Sequence, residues 1–310
     1  MALADDVLRG EPLALARAIS LVENGAPEGR ALLDTLSPRA GKALRIGLTG
    51  PPGVGKSTTV DELSDLHRSR GEKVGVIAVD PTSPFTGGAL LGDRVRMTKA
   101  AESDIFVRSM ASRGVSGGLS RATQDAADLL DASGRTLILL ETVGVGQSEI
   151  EISRAADVVI VMLSPESGDG VQAMKSGVLE IADLVAINKA DRGGADRLEH
   201  DLRTAFELGL RSRKDVPILL TEANTGKGIP ELAGAVDALV AARKQSGAFV
   251  ERRKSNMESR LRRIAEFLLQ TDLWESGDSR TRVRAAAERV LAGDQSPYQC
   301  ARKLLEEALR

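Results

Sequence analysis

Short, near-continuous apolar runs recur through the middle of the chain, at 44–49, 74–79, 105–107, 136–140, 158–163, 184–187 and 216–220. They are rich in β-branched residues, and most are separated by stretches of helical length. A strand with one face in water alternates apolar and polar positions. A run without that alternation suits a strand buried on both faces, as in a mainly parallel sheet. Alternation of such runs with helices predicts an α/β fold with a doubly wound sheet. The two ends of the chain carry a helical pattern instead. Near the start, Pro12 fits a first helical turn, Leu13, Ala16, Ile19 and Leu21 follow, and Gly25 is placed to stop the helix. Near the end, Met257, Leu261, Ile264 and Leu268 share one helical face. Ser296 and Pro297 fit an N-cap and first-turn pair. The last helix, with Cys300, Leu304, Ala308, Leu305 and Leu309, is more apolar than a lone solvated helix needs. The pattern divides the chain into a helical extension at 1–42, an α/β domain at 43–230 and a helical region at 231–310.

Composition narrows the picture. Of the 310 residues 42% are hydrophobic but only 2% aromatic, so the core must be built from Leu, Ile, Val and Ala. A net charge of −2 with 28% charged residues leaves no basic excess for nucleic acid, and platforms for stacking bases are missing. The single cysteine, Cys300, cannot form an internal disulfide and fits a reducing compartment. No apolar run approaches the roughly 20 residues that span a bilayer. Met1 to Glu11 carries acids and lacks the apolar core of a signal peptide. The expectation is a soluble, cytoplasmic protein with no membrane or nucleic-acid partner.

Directly after the first apolar run stands Gly50-Pro51-Pro52-Gly53-Val54-Gly55-Lys56-Ser57. It matches the phosphate-binding loop G-x-x-x-x-G-K-[ST], with a strand before it and a helix after it. Glycines let backbone N–H groups turn towards phosphates, and the helix N-terminus adds partial positive charge. Gly53, Val54 and Gly55 are expected to line the phosphates. Lys56 reaches the β and γ phosphates, Ser57 offers a hydroxyl to Mg²⁺, and Thr58 contacts the α-phosphate. After the run at 184–187 comes Asn188-Lys189-Ala190-Asp191. This N-K-x-D pattern reads guanine: the Asp191 carboxylate accepts from both N1–H and the exocyclic amine. Adenine offers no such donor pair, and a site built for those bonds rejects it. The Lys189 stem can lie along the base, and Asn188 can bond the base and tie loops together. Glu222 and Ala223 follow the seventh run, where backbone contact with guanine O6 and a plain polar turn are alternatives. The nucleotides expected are GTP and GDP.

A phosphate loop needs acids near Mg²⁺. Asp80 ends the run at 74–79, and Asp93 closes the loop that follows, where a helix N-cap is its alternative role. Glu141 opens Glu141-Thr142-Val143-Gly144, which resembles the D-x-x-G switch with glutamate for aspartate. The Gly144 N–H can bond the γ-phosphate and release it after hydrolysis. Many GTPases place a water-orienting glutamine directly after that glycine. Here Val145 stands there and Gln147 comes later, so hydrolysis is expected to be slow until a partner stimulates it.

Together these segments, at 50–59, 79–83, 91–94, 141–149, 168–177 and 188–191, resemble the MeaB-like G-protein chaperones of adenosylcobalamin-dependent acyl-CoA mutases. Members are also labelled arginine/ornithine transport ATPases. The resemblance implies a P-loop NTPase G domain flanked by helical N- and C-terminal extensions. It implies that Lys56, Asp80, Asp93 and Glu141 act on phosphate, magnesium and hydrolysis, with Ser57 among the metal ligands. It further implies that Gln147, Asp169, Gln172 and Lys175 belong to switch segments that signal to the mutase, Lys175 contacting either nucleotide or partner. The C-terminal region corresponds to a homodimerisation arm. The implied task is to gate cofactor loading, protection or reactivation in the mutase. The chain lacks an Asp-x-His-x-x-Gly pattern, so adenosylcobalamin belongs to the partner. Ser164-Pro165-Glu166-Ser167 departs from the commonest members, which leaves methylmalonyl-CoA mutase and its isobutyryl- or hydroxyisobutyryl-CoA relatives open. The competing reading is an ATPase or kinase serving amino-acid transport. A metal-insertion GTPase would need His/Cys clusters that two histidines and one cysteine do not supply. His67 and His200 read as surface histidines and Cys300 as packing. Trp274 and Tyr298 fit either an interface or ordinary packing.

Overall fold

The computed structural model describes residues 2–80, 104–111, 121–142, 148–166, 177–208, 215–275 and 279–308. Seven strands form one sheet: β1 (Leu44–Thr49), β2 (Val74–Asp80), β3 (Phe106–Ala111), β4 (Leu137–Glu141), β5 (Val158–Leu163), β6 (Leu184–Asn188) and β7 (Ile218–Thr221). Their order is β3-β2-β4-β1-β5-β6-β7. Every neighbouring pair is parallel, so the α/β doubly wound class expected from the pattern is the fold observed. Successive side chains of a strand point to opposite faces. Accordingly Ile138, Leu140, Val159, Val161 and Leu163 enter one hydrophobic core, and Leu137, Leu139, Val158, Ile160 and Met162 enter the other. Burial on both faces is why the central strands read as near-continuous apolar runs.

The helices α1 (Ala2–Leu8), α2 (Pro12–Glu23), α3 (Pro27–Leu36), α5 (Arg121–Ala132), α6 (Ser148–Ala155) and α7 (Ala195–Leu208) contribute to the first core. The second is covered by α4 (Lys56–Ser69) and α8 (Ile229–Ser246). Along α2 the buried residues are Leu15, Ala18, Ile19 and Val22, one helical stripe, while Leu13 is 87% exposed. Gly47 of β1 has no room for a side chain, because a Cβ there would meet Ile152 Cγ1 at 2.5 Å. That glycine lets α6 lie directly on the central strand.

Acidic side chains secure the entering ends of the strands. The Asp131 carboxylate, at the end of α5, accepts from Gly41 N (2.8 Å), Lys42 N (3.2 Å) and Ala43 N (3.1 Å). Asp157 accepts from Arg45 N at 2.9 Å and Asp183 from Val159 N at 2.8 Å. Arg243 of α8 ties these last two sites together, donating to the Asp157 carbonyl at 2.9 Å and pairing with the Asp183 carboxylate. His67, expected on the surface, is buried near the end of α4, with Nδ1 2.8 Å from Glu72 Oε1. An apolar-facing helix position explains the difference, and the role stays structural.

These elements lie in a compact unit, Met1–Val250; a second unit comprises Glu251–Arg310. The second contains most of α9 (Ala248–Glu275), with α10 (Ser279–Leu291) and α11 (Pro297–Ala308). Ser296 caps α11 reciprocally: its Oγ accepts from Gln299 N at 3.2 Å, and Gln299 Oε1 accepts from Ser296 N at 2.9 Å. Cys300 is buried, its thiol 3.6 Å from the Ala286 carbonyl. Tyr298 is 87% exposed, and the Trp274 side chain lies outside the described residues. No described helix is long and apolar enough to cross a membrane.

Candidate functional site

In open parallel sheets, ligands bind beyond the carboxyl ends of the strands where the strand order reverses. Here β1 sits between β4 and β5, and the loop 50–55 leaves its carboxyl end to start α4 at Lys56. Gly55 precedes the helix at φ 99°, a left-handed conformation, and a Cβ there would meet Asn188 Nδ2 at 2.2 Å. Only glycine satisfies both the turn and the approach of the β6 loop. Lys56 is buried, and its Nζ donates to the carbonyls of Gly50 (2.8 Å) and Pro51 (2.9 Å), spanning the loop it follows.

The Ser57 hydroxyl donates to Glu141 Oε1 at 2.7 Å. Glu141 ends β4 and is buried. Next to it, Thr142 Oγ1 donates to Thr49 Oγ1 at 2.9 Å, joining the carboxyl ends of β4 and β1. In the register of β2 on β4, Ala78 pairs with Glu141, which sets Asp80 two residues further along the adjacent strand end. A serine hydroxyl and a carboxylate are hard oxygen donors. Mg²⁺ usually takes one or two such side chains and fills its octahedron with phosphate oxygens and water. The pair therefore fits that ion. Among the described residues no three His, Cys, Asp or Glu side chains gather into a closed metal cage.

The base loop is joined to the phosphate loop through one buried amide. Asn188 Nδ2 donates to the Val54 carbonyl at 2.8 Å, and Oδ1 accepts from Thr221 Oγ1 (3.2 Å) and Ala223 N (3.0 Å). Val54 is fully buried beneath this contact. Lys189 adopts φ 58°, the only positive φ of a non-glycine residue among those described. Asp191 is exposed in the same turn. On the other side, Lys227 Nζ lies 2.6 Å from Glu222 Oε1, and Glu222 N donates to the Lys227 carbonyl at 2.9 Å. Hydrogen bonding to Glu222, then its charge, raises the Lys227 ammonium above the usual lysine range, with Asp191 adding to it.

The structure thus brings Gly53, Val54, Gly55, Lys56, Ser57, Thr58, Glu141, Asn188, Lys189, Asp191, Glu222 and Ala223 to the loops at the carboxyl edge of the sheet and to the start of α4. Asp80 is placed there by its backbone alone. Asp93, Gly144, Gln147, Asp169, Gln172 and Lys175 lie outside the described residues. Thr49, Thr142, Thr221 and Lys227 are not legible in the sequence, because single threonines and a lysine after a turn carry no motif.

A family model described as methylmalonyl Co-A mutase-associated GTPase MeaB matches residues 15–278. The chain belongs to this family. It is a P-loop GTPase, and GTP and GDP are its nucleotides. Among relatives of this MeaB-family chain, a Pyrococcus abyssi protein named provisionally as a GTPase is 41% identical, covering 99% of this chain and 96% of that one. The mouse methylmalonic aciduria type A homolog, mitochondrial, is 32% identical over 97% of this chain and 77% of its own length. The solved structure of a protein named LAO/AO transport system kinase superposes with a TM-score of 0.73 at 29% identity, covering 100% of this chain and 97% of that one.

Proposed function

We propose that this GTPase gates the loading, protection or reactivation of adenosylcobalamin in an acyl-CoA mutase, methylmalonyl-CoA mutase or a close relative, in the cytoplasm. The match to the mutase-associated family across 15–278 carries this reading. The name of the mouse relative, a methylmalonic aciduria homolog, agrees with it. In this reading Lys56 holds the β and γ phosphates, Thr58 the α-phosphate, and Asp191 the guanine edge, with Lys189 along the base and Ala223 near O6. Ser57, Asp80, Asp93 and Glu141 hold Mg²⁺, whose charge, when bound, offsets that of the phosphates. The Gly144 N–H bonds the γ-phosphate, and the switch residues Gln147, Asp169, Gln172 and Lys175 signal to the mutase, with Lys175 contacting either nucleotide or partner. Hydrolysis is slow alone and stimulated by the partner, and adenosylcobalamin is held only by the mutase. The helical region at 231–310 is a homodimerisation arm.

An amino-acid transport ATPase or kinase is the second reading, supported by the name of the solved relative, a transport system kinase. The carboxylate of Asp191 disfavours it, since adenine would leave that group unpaired.

The deciding experiment follows adenosylcobalamin uptake into purified acyl-CoA mutases by visible absorbance, with this chain carrying GDP or a non-hydrolysable GTP analogue. Uptake that depends on the nucleotide is expected. Identical uptake with and without the chain for every mutase, or ATP-dependent phosphorylation of an amino acid, would overturn the proposal. Lys56→Ala should weaken GDP binding by about ten- to a hundredfold, the scale of lost charge-assisted bonds, measured by calorimetry.

A further inference from the structure

Glu166 lies three residues beyond the end of β5, in the turn that follows the strand. Its carboxylate is shared. Oε2 lies 3.3 Å from Lys189 Nζ, and Oε1 accepts from Arg192 Nη1. These two cations stand on either side of Asp191 in sequence. The same two turns approach at a second point: a Cβ on Gly194 would sit 3.6 Å from Pro165 Cβ. Within the loop, Ala190 N donates to the Thr221 carbonyl at 3.1 Å and Arg192 N to the Lys189 carbonyl at 3.0 Å. The left-handed backbone at Lys189 is a conformation that a lysine rarely adopts, so surrounding contacts must hold it.

We propose that Glu166 is a positioning residue for base recognition, gripping the guanine loop on both sides of Asp191 through Lys189 and Arg192. The clamp restrains the Lys189 side chain and fixes the turn that presents the Asp191 carboxylate. A single exposed ion pair contributes little, because two long side chains lose freedom for one contact. Here one short side chain restrains two cations of the same tight turn, so the ordering cost is shared. The inference rests on the assignment of Asp191 to guanine made above.

The test is the dissociation rate of a fluorescent GDP analogue from the full chain, for wild type, Glu166→Gln, Arg192→Ala and the double variant. Glu166→Gln should release GDP about two- to tenfold faster at low salt. The gap from wild type should shrink in about 1 M NaCl, where exposed charges are screened. The double variant should show less than the sum of the two single effects. An unchanged rate in Glu166→Gln, a gap that ignores salt, or strictly additive effects would each overturn the clamp. A wild type that binds no GDP would instead sink the guanine assignment, and the clamp with it.

Discussion

The Asn188 side chain makes three hydrogen bonds to neighbours from two other parts of the chain, Val54 on one side and Thr221 with Ala223 on the other. An amide supplies both donor and acceptor, which no aspartate or leucine could do at this position. Replacing it by alanine would leave a buried carbonyl and a buried N–H unpaired. Asn188→Ala should therefore destabilise the fold by about 1–3 kcal/mol, read from urea denaturation, and loosen GDP as well. Glu166 gives a pH signature. Hydrogen bonding from Arg192 chiefly, and from Lys189, holds its carboxyl below the usual carboxylate range, while Glu166 and Asp191 raise the Arg192 guanidinium. A depressed folded value means the pairing is complete above the unfolded carboxyl range and is lost as pH falls through the folded value. The ratio of GDP release rates between Glu166→Gln and wild type should stay constant near neutrality. It should close towards one in acid below the usual carboxylate range, measured by stopped flow. A ratio indifferent to acid would count against the pairing.

At the level of elements, the strands are legible in the sequence wherever both faces are apolar. β2, β5 and β6 start where the runs start, because pattern and burial coincide there. The apolar run at 105–107 stops short of the end of β3, since Arg108 and Ser109 interrupt it. The structure accommodates Arg108 because α2 meets it with polar groups, Glu23 Oε2 at 2.8 Å and Ser20 Oγ at 3.1 Å. β7 begins at Ile218 rather than Val216: Pro217, with no N–H to donate, only accepts, from Val185 N at 2.9 Å. The phosphate and base loops are legible because each is a contiguous motif. Asp131 is not, since its partners lie 88 to 90 residues away in the chain. Yet its carboxylate gathers three backbone N–H groups at the entrance to β1. Asp131→Ala should cost about 2–4 kcal/mol, the scale of a broken buried network, by thermal or urea unfolding, with GDP affinity changed little in the folded fraction.

For the molecule as a whole, the second unit buries few of its apolar side chains: among the described residues of Glu251–Arg310 only Ala286 and Cys300 are buried hydrophobics. Met257, Leu261, Leu268 and Leu269 of α9 are 49%, 58%, 43% and 47% exposed. Four such side chains on one helix suit contact with a second copy better than with water. Under the proposed dimer, Leu261→Glu should shift sedimentation towards the monomer while GDP binding persists. A wild type that already sediments as a monomer at micromolar concentration would refute the arm's role.

The carboxylates at the starts of β1 and β5, with Arg243 joining the Asp157 carbonyl to the Asp183 carboxylate, bolt the sheet along one rim, whereas the described residues proposed for phosphate, metal and base gather along the other. Folding strength and nucleotide chemistry are thereby entrusted to opposite tips of the same strands. A lineage can retune its loops without undermining the foundation, and damage to the foundation need leave no trace in what the loops recognise.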